Sequence, residues 1–386
     1  MATATPLAPA ASLAHALPDA AEELAVTALR LAPIVEEHGR LTPELADAIT
    51  RAGFARHFVP AHWGGTAGTF GAALTAVATV AETCASTAWC AGLYAAHGRL
   101  AAYLPHEGQA DLWAAGPDVR IAAAVNPPAG VAHEVPGGWQ LSGTWATASG
   151  VDHADWVLLA SWTGSGPARA HRVFALPRTD CRVLDTWHTI GLRGTGSNSV
   201  TLQGVFVPAH RTMVLADLAR PGGSGARCHA VPYAMVAAPQ FAAPALGAAR
   251  GALRAWTRRA AGRHRSDGQA VRGSDAAQRV LARSAAEIEA AGLLLRLAAQ
   301  RADEAEPGAF TAAENMRDSV MAVDLCLTAT GRLMQASGAS GLAQDNPVQR
   351  GWRDVTAVAA HGALDPERAA AAYARAVFPQ GQGSSA

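Results

Sequence analysis

Residues 274–305 read SDAAQRVLARSAAEIEAAGLLLRLAAQRADEA. Apolar and small side chains recur here at the spacing of one helix face, at Val280, Ser284, Ile288, Ala291 and Leu295. As a single helix the stretch would be roughly 45 Å long. Helices of that length form bundles. The stretch therefore predicts a helical bundle in the last part of the chain.

The residues before position 118 also carry helix signals. Thr42 can cap a helix that has Pro43 as its first residue, and Gly53 can end it. This pattern predicts an α-helical first domain over residues 19–118. A flexible arm over residues 1–18 is expected to precede it.

A change of pattern after Pro117 marks a second domain. Short runs of branched and aromatic residues alternate with turns there. Four runs are predicted strands: Trp139–Trp145, Trp156–Trp162, Arg172–Leu176 and Val200–Val207. They predict a central β domain over residues 119–220, with helices following over residues 221–386. This order has no βαβ alternation, which disfavours a Rossmann fold.

The composition excludes several classes of protein. Lysine plus arginine and aspartate plus glutamate both number 31, so no net charge attracts nucleic acid or an anionic membrane. The most apolar segment, 234–249, is shorter than a membrane helix and is interrupted by Pro239, Gln240 and Pro244. The five cysteines form no C-x-x-C pair. With no basic residue before Arg30 to begin a signal peptide, the sequence predicts a soluble, cytoplasmic protein.

Spacing alone reveals few chemical candidates. The 14 histidines form no metal-binding pattern, so no metal site is predicted. Gly191–Gly196 leads into a strand-like segment, which indicates a turn whose amides could approach a flat ligand. Gly143–Gly150 ends a predicted strand with small hydroxylated residues that could face a planar cofactor. His361 stands alone in a weakly helical, alanine-rich stretch, where a histidine is more often a packed core residue than a base.

Six segments, taken in order, match one family pattern. They are His62–Gly65, Ser86–Trp89, Gly143–Trp156, Ile190–Asn198, Val205–Arg211, and Pro347–Asp354 with its continuation through His361 to Arg368. Together they resemble the acyl-CoA dehydrogenase superfamily from about Ala20 to Phe378. The resemblance is closer to its oxygen-activating branch, which includes the oxygenase components of 4-hydroxyphenylacetate 3-hydroxylase and of secosteroid phenol hydroxylases.

This resemblance implies an acyl-CoA dehydrogenase fold, mainly α with a central β-barrel-like domain and a C-terminal four-helix bundle, assembled as a homotetramer. It also implies a two-component flavin-dependent monooxygenase. A separate NAD(P)H:flavin reductase would supply reduced FMN or FAD, which reacts with O2 to give a C4a-hydroperoxide. The enzyme would then hydroxylate an aromatic small molecule, phenolic or polycyclic, in a reaction that suits natural-product tailoring.

The resemblance further implies roles for single residues. His361 matches the histidine that deprotonates a phenol, Ser149 the serine that stabilises the hydroperoxide near flavin N5, and His97 a pocket histidine that orients the substrate or the flavin adduct. The other matches are implied flavin contacts. Those at the isoalloxazine and its wall are Trp145, Thr147, Ser149, Arg193, Gly194, Thr195 and Ser197. Those at the phosphate-bearing tail, in the bundle, are Gln335, Gly338, Gly341 and Arg350.

Two departures from the family pattern keep alternatives open. Gly362 stands where acyl-CoA dehydrogenases carry a catalytic glutamate, so proton abstraction from a thioester has no evident base. Ala122–Ala124 stand where the oxygenase branch often has serines, so a polar contact is missing. The alternatives are N- or S-oxygenation on the same scaffold, dehydrogenation or desaturation of an acyl thioester, and a redox-silent relative that binds or cyclises a product.

Overall fold

The computed structural model describes residues 16–264 and 268–378. Five helices form the first domain: α1 Ala16–His38, α2 Pro43–Arg51, α3 Phe70–Ala81, α4 Ala85–Ala101 and α5 His106–Trp113. The Thr42 hydroxyl caps α2 by accepting from the Leu45 N–H group, and Gly53 follows the helix with φ +87°. The sequence signals for α2 are thus confirmed. Residues 1–15 of the predicted arm lie outside the described residues.

Two four-stranded sheets form the middle domain, with strand orders β1-β4-β5-β8 and β2-β3-β7-β6. The strands are β1 Ile121–Ala124, β2 Val131–Val135, β3 Gly138–Ala148, β4 Trp156–Thr163, β5 Ala170–Pro177, β6 Arg182–Leu184, β7 Asn198–Pro208 and β8 Thr212–Val214. Among the strands of the described residues, β1 and β4 are the one parallel pair. Leu141 and Trp145 of one sheet share a core with Leu159 and Phe174 of the other. The four predicted strands correspond to β3, β4, β5 and β7.

The last domain is a helical bundle. After the short helix α6, Arg227–Ala230, it consists of α7 Tyr233–Gly262, α8 Asp275–Glu304, α9 Ala309–Ala336 and α10 Pro347–Ala359, with α11 Pro366–Val377 packed on α9. The Ser274 hydroxyl caps α8 by accepting from the Ala277 N–H group. Ser284, Ile288 and Leu295 of the predicted stripe are buried. The long helix predicted over residues 274–305 is therefore confirmed.

Hydrogen bonds join the three domains. The Asp303 carboxylate on α8 accepts from the N–H groups of Phe70 and Gly71 at the start of α3, at 2.8 and 2.9 Å. The Tyr94 hydroxyl on α4 donates to the carbonyl oxygen of Gly150, just beyond β3, at 2.7 Å. Because α4 contacts both the β domain and α7, this helix lies where the three domains meet.

The helices and cysteines bear on two of the sequence predictions. None of the helices in the described part of the chain has the length and apolar character that crossing a bilayer requires. All five cysteines are free and buried. Burial raises the pKa of every thiol, which keeps the thiols protonated and poorly reactive near pH 7.

Candidate active site

The end of β3 presents Ser149 to helix α4. A β-bulge interrupts the pairing of β3 with β7 between Trp145 and Ala148, and Thr147 within it has φ +62°. Gly150 follows with φ +71°, and a Cβ atom there would lie 2.7 Å from the Tyr94 hydroxyl oxygen. Only glycine therefore lets the chain turn this close to α4. The bulge and the turn direct the Ser149 hydroxyl toward α4.

Ser149 belongs to a chain of buried hydrogen bonds. The indole N–H of Trp89 on α4 donates to the Ser149 hydroxyl oxygen at 3.1 Å. The Ser149 and Ser197 hydroxyl oxygens are 2.7 Å apart, and those of Ser197 and Thr195 are 2.6 Å apart. The Thr195 hydroxyl also donates to the carbonyl oxygen of Leu192 at 2.9 Å. Three predicted flavin contacts, Ser149, Thr195 and Ser197, are thus brought together.

The 190–196 segment forms a tight wall beside this chain. Leu192 and Gly196 both have φ +50° and flank a short turn over Arg193–Thr195. A Cβ atom on Gly194 would come within 1.9 Å of a Val35 methyl group, so this wall packs directly on α1. The Arg193 side chain points away and donates to the Glu36 carbonyl oxygen at 3.2 Å. Gly194 therefore shapes the wall, whereas Arg193 fixes it to the first domain.

Asp354 on α10 holds the same wall from the bundle side. Its carboxylate accepts from the Leu192 N–H group at 2.7 Å. Burial raises the pKa of Asp354 to about 6. The nearby Arg353 binds the Ile190 carbonyl oxygen and the Glu36 carboxylate. The sequence analysis named Asp354 only as the end of the Pro347–Asp354 segment and did not predict this role.

His361 lies at the end of an aromatic cluster. Its ring stacks on Phe241 of α7 with a centroid distance of 3.8 Å, and meets Trp89 edge to face at 5.5 Å. Burial lowers the pKa of His361 to about 4, so its imidazole is neutral near pH 7. Nδ1 accepts from the Ala363 N–H group at 3.2 Å. Its single ring hydrogen is therefore on Nε2.

His97 has the opposite tautomer. Its Nδ1 lies 2.7 Å from the Ile121 carbonyl oxygen, and because a carbonyl cannot donate, Nδ1 carries the hydrogen. Burial lowers the pKa of His97 to about 4. Nε2 is then a neutral acceptor. The two predicted catalytic histidines thus offer complementary groups, a donor on His361 and an acceptor on His97.

Other predicted residues lie apart from this cluster. The Trp145 indole is buried in the β core, where it donates to the Ala160 carbonyl oxygen at 2.7 Å. Thr147 is exposed, and its hydroxyl binds the neighbouring carbonyl oxygen of Ala146. The contacts of Trp145 are explained by packing in the β core, and that of Thr147 by its place in the β-bulge. Flavin contact by Trp145 and Thr147 remains a prediction.

The predicted tail contacts lie on α9, just after it, and on α10. Gln335, near the end of α9, and Gly338, with φ +63°, are both exposed. Arg350 on α10 donates to the Thr83 carbonyl oxygen at 3.3 Å. The tail site therefore also remains a prediction. Gly341 is buried, packed closely against Ser337.

The alanines that replace family serines occupy both faces of β1. Ala122 and Ala124 face the β core. Ala123 faces the other way and packs in the cluster that includes Leu100 of α4. Of the three, Ala123 is therefore the residue on the α4 side. It shares this face of β1 with Ile121, whose carbonyl oxygen binds His97.

Two features of the site were not predicted. Phe241 lies in an alanine-rich segment between two prolines, with no signal that a ring there would meet His361. An apolar pocket also lies between α3, α4, α7 and α8. Its lining includes Phe54, Phe70, Gly92 and Gln240. Gln240, which lines this pocket, directly precedes Phe241 on α7.

Known proteins share both the sequence and the fold. Residues 240–366 match the family model described as the acyl-CoA dehydrogenase C-terminal domain. The oxygenase subunit HsaA of a flavin-dependent monooxygenase from Rhodococcus jostii (strain RHA1) is 32% identical over 360 residues, covering 89% of this chain and 93% of that protein. The oxygenase component of an FADH2-dependent resorcinol hydroxylase from Rhizobium sp. (strain MTP-10005) is 33% identical over 349 residues, covering 84% and 85%. XiaF from Streptomyces sp., solved in complex with FADH2 and glycerol, matches with a TM-score of 0.88 at 25% identity, covering 96% of this chain and 98% of that one.

The helical domain, the two-sheet domain and the helical bundle define the acyl-CoA dehydrogenase fold, which confirms the predicted architecture. The chain belongs to the family of oxygenase components of flavin-dependent monooxygenases. It is an enzyme that uses reduced flavin and O2.

The raised pKa of Asp354 predicts how the free energy of unfolding depends on pH. The buried carboxyl holds its proton more tightly in the folded state, with a pKa of about 6, than at its ordinary value of 3.8. Its contribution to the free energy of unfolding is therefore greatest at low pH and declines as the pH rises toward about 6. Asp354→Asn keeps an oxygen acceptor for the Leu192 N–H group without the charge. We expect the free energy of unfolding at pH 7.5 to rise by about 3 kcal/mol and its pH dependence between about 4 and 6 to flatten.

Urea unfolding at several pH values measures this effect. Asp324→Asn, which changes an exposed acid on α9, is the matched control. A lower free energy of unfolding in Asp354→Asn at pH 7.5, with an unchanged pH profile, would contradict the account.

Proposed function

We propose that this enzyme hydroxylates a phenolic or polycyclic aromatic molecule in the space between the Ser149 turn, α4, α7 and the His361 turn. A separate NAD(P)H:flavin reductase would supply the reduced flavin. The observation that carries the proposal is the position of the Trp89 ring. It meets His361 edge to face at 5.5 Å and donates to the Ser149 hydroxyl at 3.1 Å. The Trp89 side chain thus connects the predicted flavin side of the site with the side predicted to bind the aromatic substrate, called the acceptor side below.

The residues on the flavin side fit a flat, polar ring edge. Ser149 is 6% exposed and Ser197 is 4% exposed, so their hydroxyls are nearly removed from bulk water. Reduced flavin, when bound, supplies the two electrons that activate O2. Ser149 would bind the flavin edge near N5, and the Gly194–Ser197 wall would exclude water from it. Trp145, Thr147 and Arg193 are further candidates for the same side.

The residues on the acceptor side suit a phenolic hydroxyl. The neutral His97 ring offers a bare Nε2 that can accept the phenol hydrogen. The neutral His361 ring offers Nε2–H, which can donate to the phenol oxygen and stabilise negative charge there. A base with a pKa of about 4 takes a phenol proton poorly, since phenols have pKa values near 10. We therefore favour a donor role for His361, with the base role implied by the resemblance as the alternative.

Two further observations support an aromatic acceptor. Phe241 and Trp89 provide flat apolar surfaces around His361, and the pocket lined in part by Gln240 is apolar. The resorcinol hydroxylase among the relatives is named for a phenolic substrate. Hydroxylation is thus favoured over the N- and S-oxygenation alternatives.

The proposal predicts transfer of one atom of O2 to an aromatic ring. The protein is mixed with chemically reduced FMN or FAD, isotopically labelled O2 and either resorcinol, p-hydroxyphenylacetate or indole. Mass spectrometry should find one labelled oxygen atom in a product. His361→Ala should lower its rate of formation about tenfold or more, whereas His361→Asn, which keeps an N–H donor, should retain most of it.

The exposed His133 on β2 provides the control, His133→Asn, which should match the unchanged protein. Equal losses in His361→Asn and His361→Ala would replace the donor role by the base role. Absence of O2 consumption with both reduced flavins would overturn the proposed function.

We further propose that the chain assembles as a homotetramer through the bundle. Large apolar side chains are exposed on α8 and α9. They are Leu281, Leu293, Leu297, Phe310 and Met321. Exposed apolar side chains of this size can be buried between subunits. Gln335, Gly338 and Arg350 lie in this domain, so a neighbouring subunit could complete the predicted site for the flavin tail.

Paired charges on this surface should separate the subunits. The double variant Leu293→Asp and Leu297→Asp should shift the mass measured by light scattering from four chains toward one, because unpaired carboxylates resist burial in an interface. Val131→Asp, on the exposed strand β2, is the control and should leave the mass unchanged. An unchanged mass in the double variant would place the interface elsewhere.

A further inference from the structure

The buried hydrogen-bond chain beside Ser149 can be oriented from its two ends. At one end the indole N–H of Trp89 can only donate, so Ser149 is the acceptor in that bond. At the other end the carbonyl oxygen of Leu192 can only accept. It also accepts from the Trp187 indole N–H at 2.9 Å, and its 2.9 Å contact with the Thr195 hydroxyl oxygen is a hydrogen bond in which Thr195 is the donor. Both ends impose the same direction along the chain.

The direction of the chain then assigns the hydrogen of each hydroxyl between the two ends. Each hydroxyl owns one hydrogen, and the Thr195 hydrogen is used on Leu192. The 2.6 Å contact between Thr195 and Ser197 must use the Ser197 hydrogen, and the 2.7 Å contact between Ser197 and Ser149 must use the Ser149 hydrogen. The reverse direction would leave the 2.9 Å contact of Thr195 with the Leu192 carbonyl without a hydrogen.

The packing around the chain keeps this direction. Thr195 is 1% exposed, so water has little access to offer another partner. The Thr195 carbonyl oxygen accepts from the Gly150 N–H group at 2.8 Å and from the Cys90 thiol at 3.5 Å. These bonds hold the Thr195 segment against both α4 and the Ser149 turn.

This direction determines which hydrogen bonds the Ser149 hydroxyl can still form. It donates its hydrogen to Ser197 and accepts the Trp89 hydrogen with one lone pair. One lone pair and no hydrogen therefore remain for another partner. We propose that Ser197 and Thr195 are positioning residues that make Ser149 an acceptor only, so that the site selects reduced flavin over oxidised flavin. N5 of reduced flavin carries a hydrogen that Ser149 can accept, whereas N5 of oxidised flavin has only a lone pair and needs a donor. This inference rests on the proposed flavin position at Ser149.

A substitution two hydroxyls away from Ser149 tests the direction. Thr195→Val keeps the shape of the side chain and removes the terminal hydroxyl. Ser197 can then turn its hydrogen to Ser149, and the Ser149 hydrogen becomes free to donate outward. The ratio of Kd for oxidised flavin to Kd for reduced flavin should fall about tenfold, as expected when one mismatched hydrogen bond is corrected.

The ratio is measured with flavin-free protein, with FMN and FAD separately, in air for the oxidised form and anaerobically for the reduced form. Thr195→Ser restores the hydroxyl and should restore the ratio. Ser161→Ala removes another buried hydroxyl of the β domain, one that donates to the Gly130 carbonyl oxygen, and should leave the ratio unchanged. Ser197→Ala also frees the Ser149 hydrogen and provides a second variant if Thr195→Val does not fold.

The outcomes separate this inference from the proposed function. An unchanged ratio in Thr195→Val or Ser197→Ala, with a flavin affinity that still depends on Ser149, would overturn the direction of the chain. An affinity for both flavin forms that is unaffected by Ser149→Ala would instead overturn the proposed flavin position. A lowered ratio that recovers in Thr195→Ser supports both.

Discussion

The backbone of Leu192 is the point on which the site depends. Its N–H group binds Asp354 of the bundle, and its carbonyl oxygen accepts from Trp187 and Thr195 of the β domain. From Thr195 the hydrogen bonds continue to α4 of the first domain. The left-handed backbone of Leu192 directs these two groups to different domains, so one residue aligns all three around the candidate site.

Burial gives this site its chemical character. The pKa values of His97 and His361 are both lowered to about 4 because their rings are removed from water. Each neutral imidazole ring has one nitrogen that donates and one that accepts. The backbone partner of the ring determines which nitrogen is which. The same shortage of water prevents the serine and threonine hydroxyls from exchanging partners. A reaction that must keep an activated oxygen species away from water requires such surroundings.

Local sequence signals were sufficient to predict the elements whose structure depends on short-range interactions. The cap at Thr42, the long helix over 274–305 and the strongly patterned strands follow from short-range preferences. Strand β1 was missed because its alanines, Ala122–Ala124, carry little strand preference, and its burial comes from pairing with β4. The family and its chemistry were recognised through motif order, not through spacing alone.

The site geometry could be anticipated only in part, because it depends on residues distant in sequence. Ser149, Ser197 and Thr195 were assigned to one predicted site and do lie within hydrogen-bond distance of one another, but Trp89 and Phe241 join the site through packing between α4 and α7. The tautomers of His97 and His361 depend on Ile121 and Ala363. No sequence pattern records the partner of a ring nitrogen, so this level of detail required the folded chain.

The most direct test of the central claim is the behaviour of flavin at Ser149 when oxygen arrives. The protein is mixed anaerobically with reduced FMN or FAD and then with O2 in a stopped-flow instrument, and the return of oxidised-flavin absorbance is followed. We expect a delay between O2 uptake and the return of that absorbance, and a shorter delay in Ser149→Ala. Immediate return of oxidised flavin in both proteins would contradict the account.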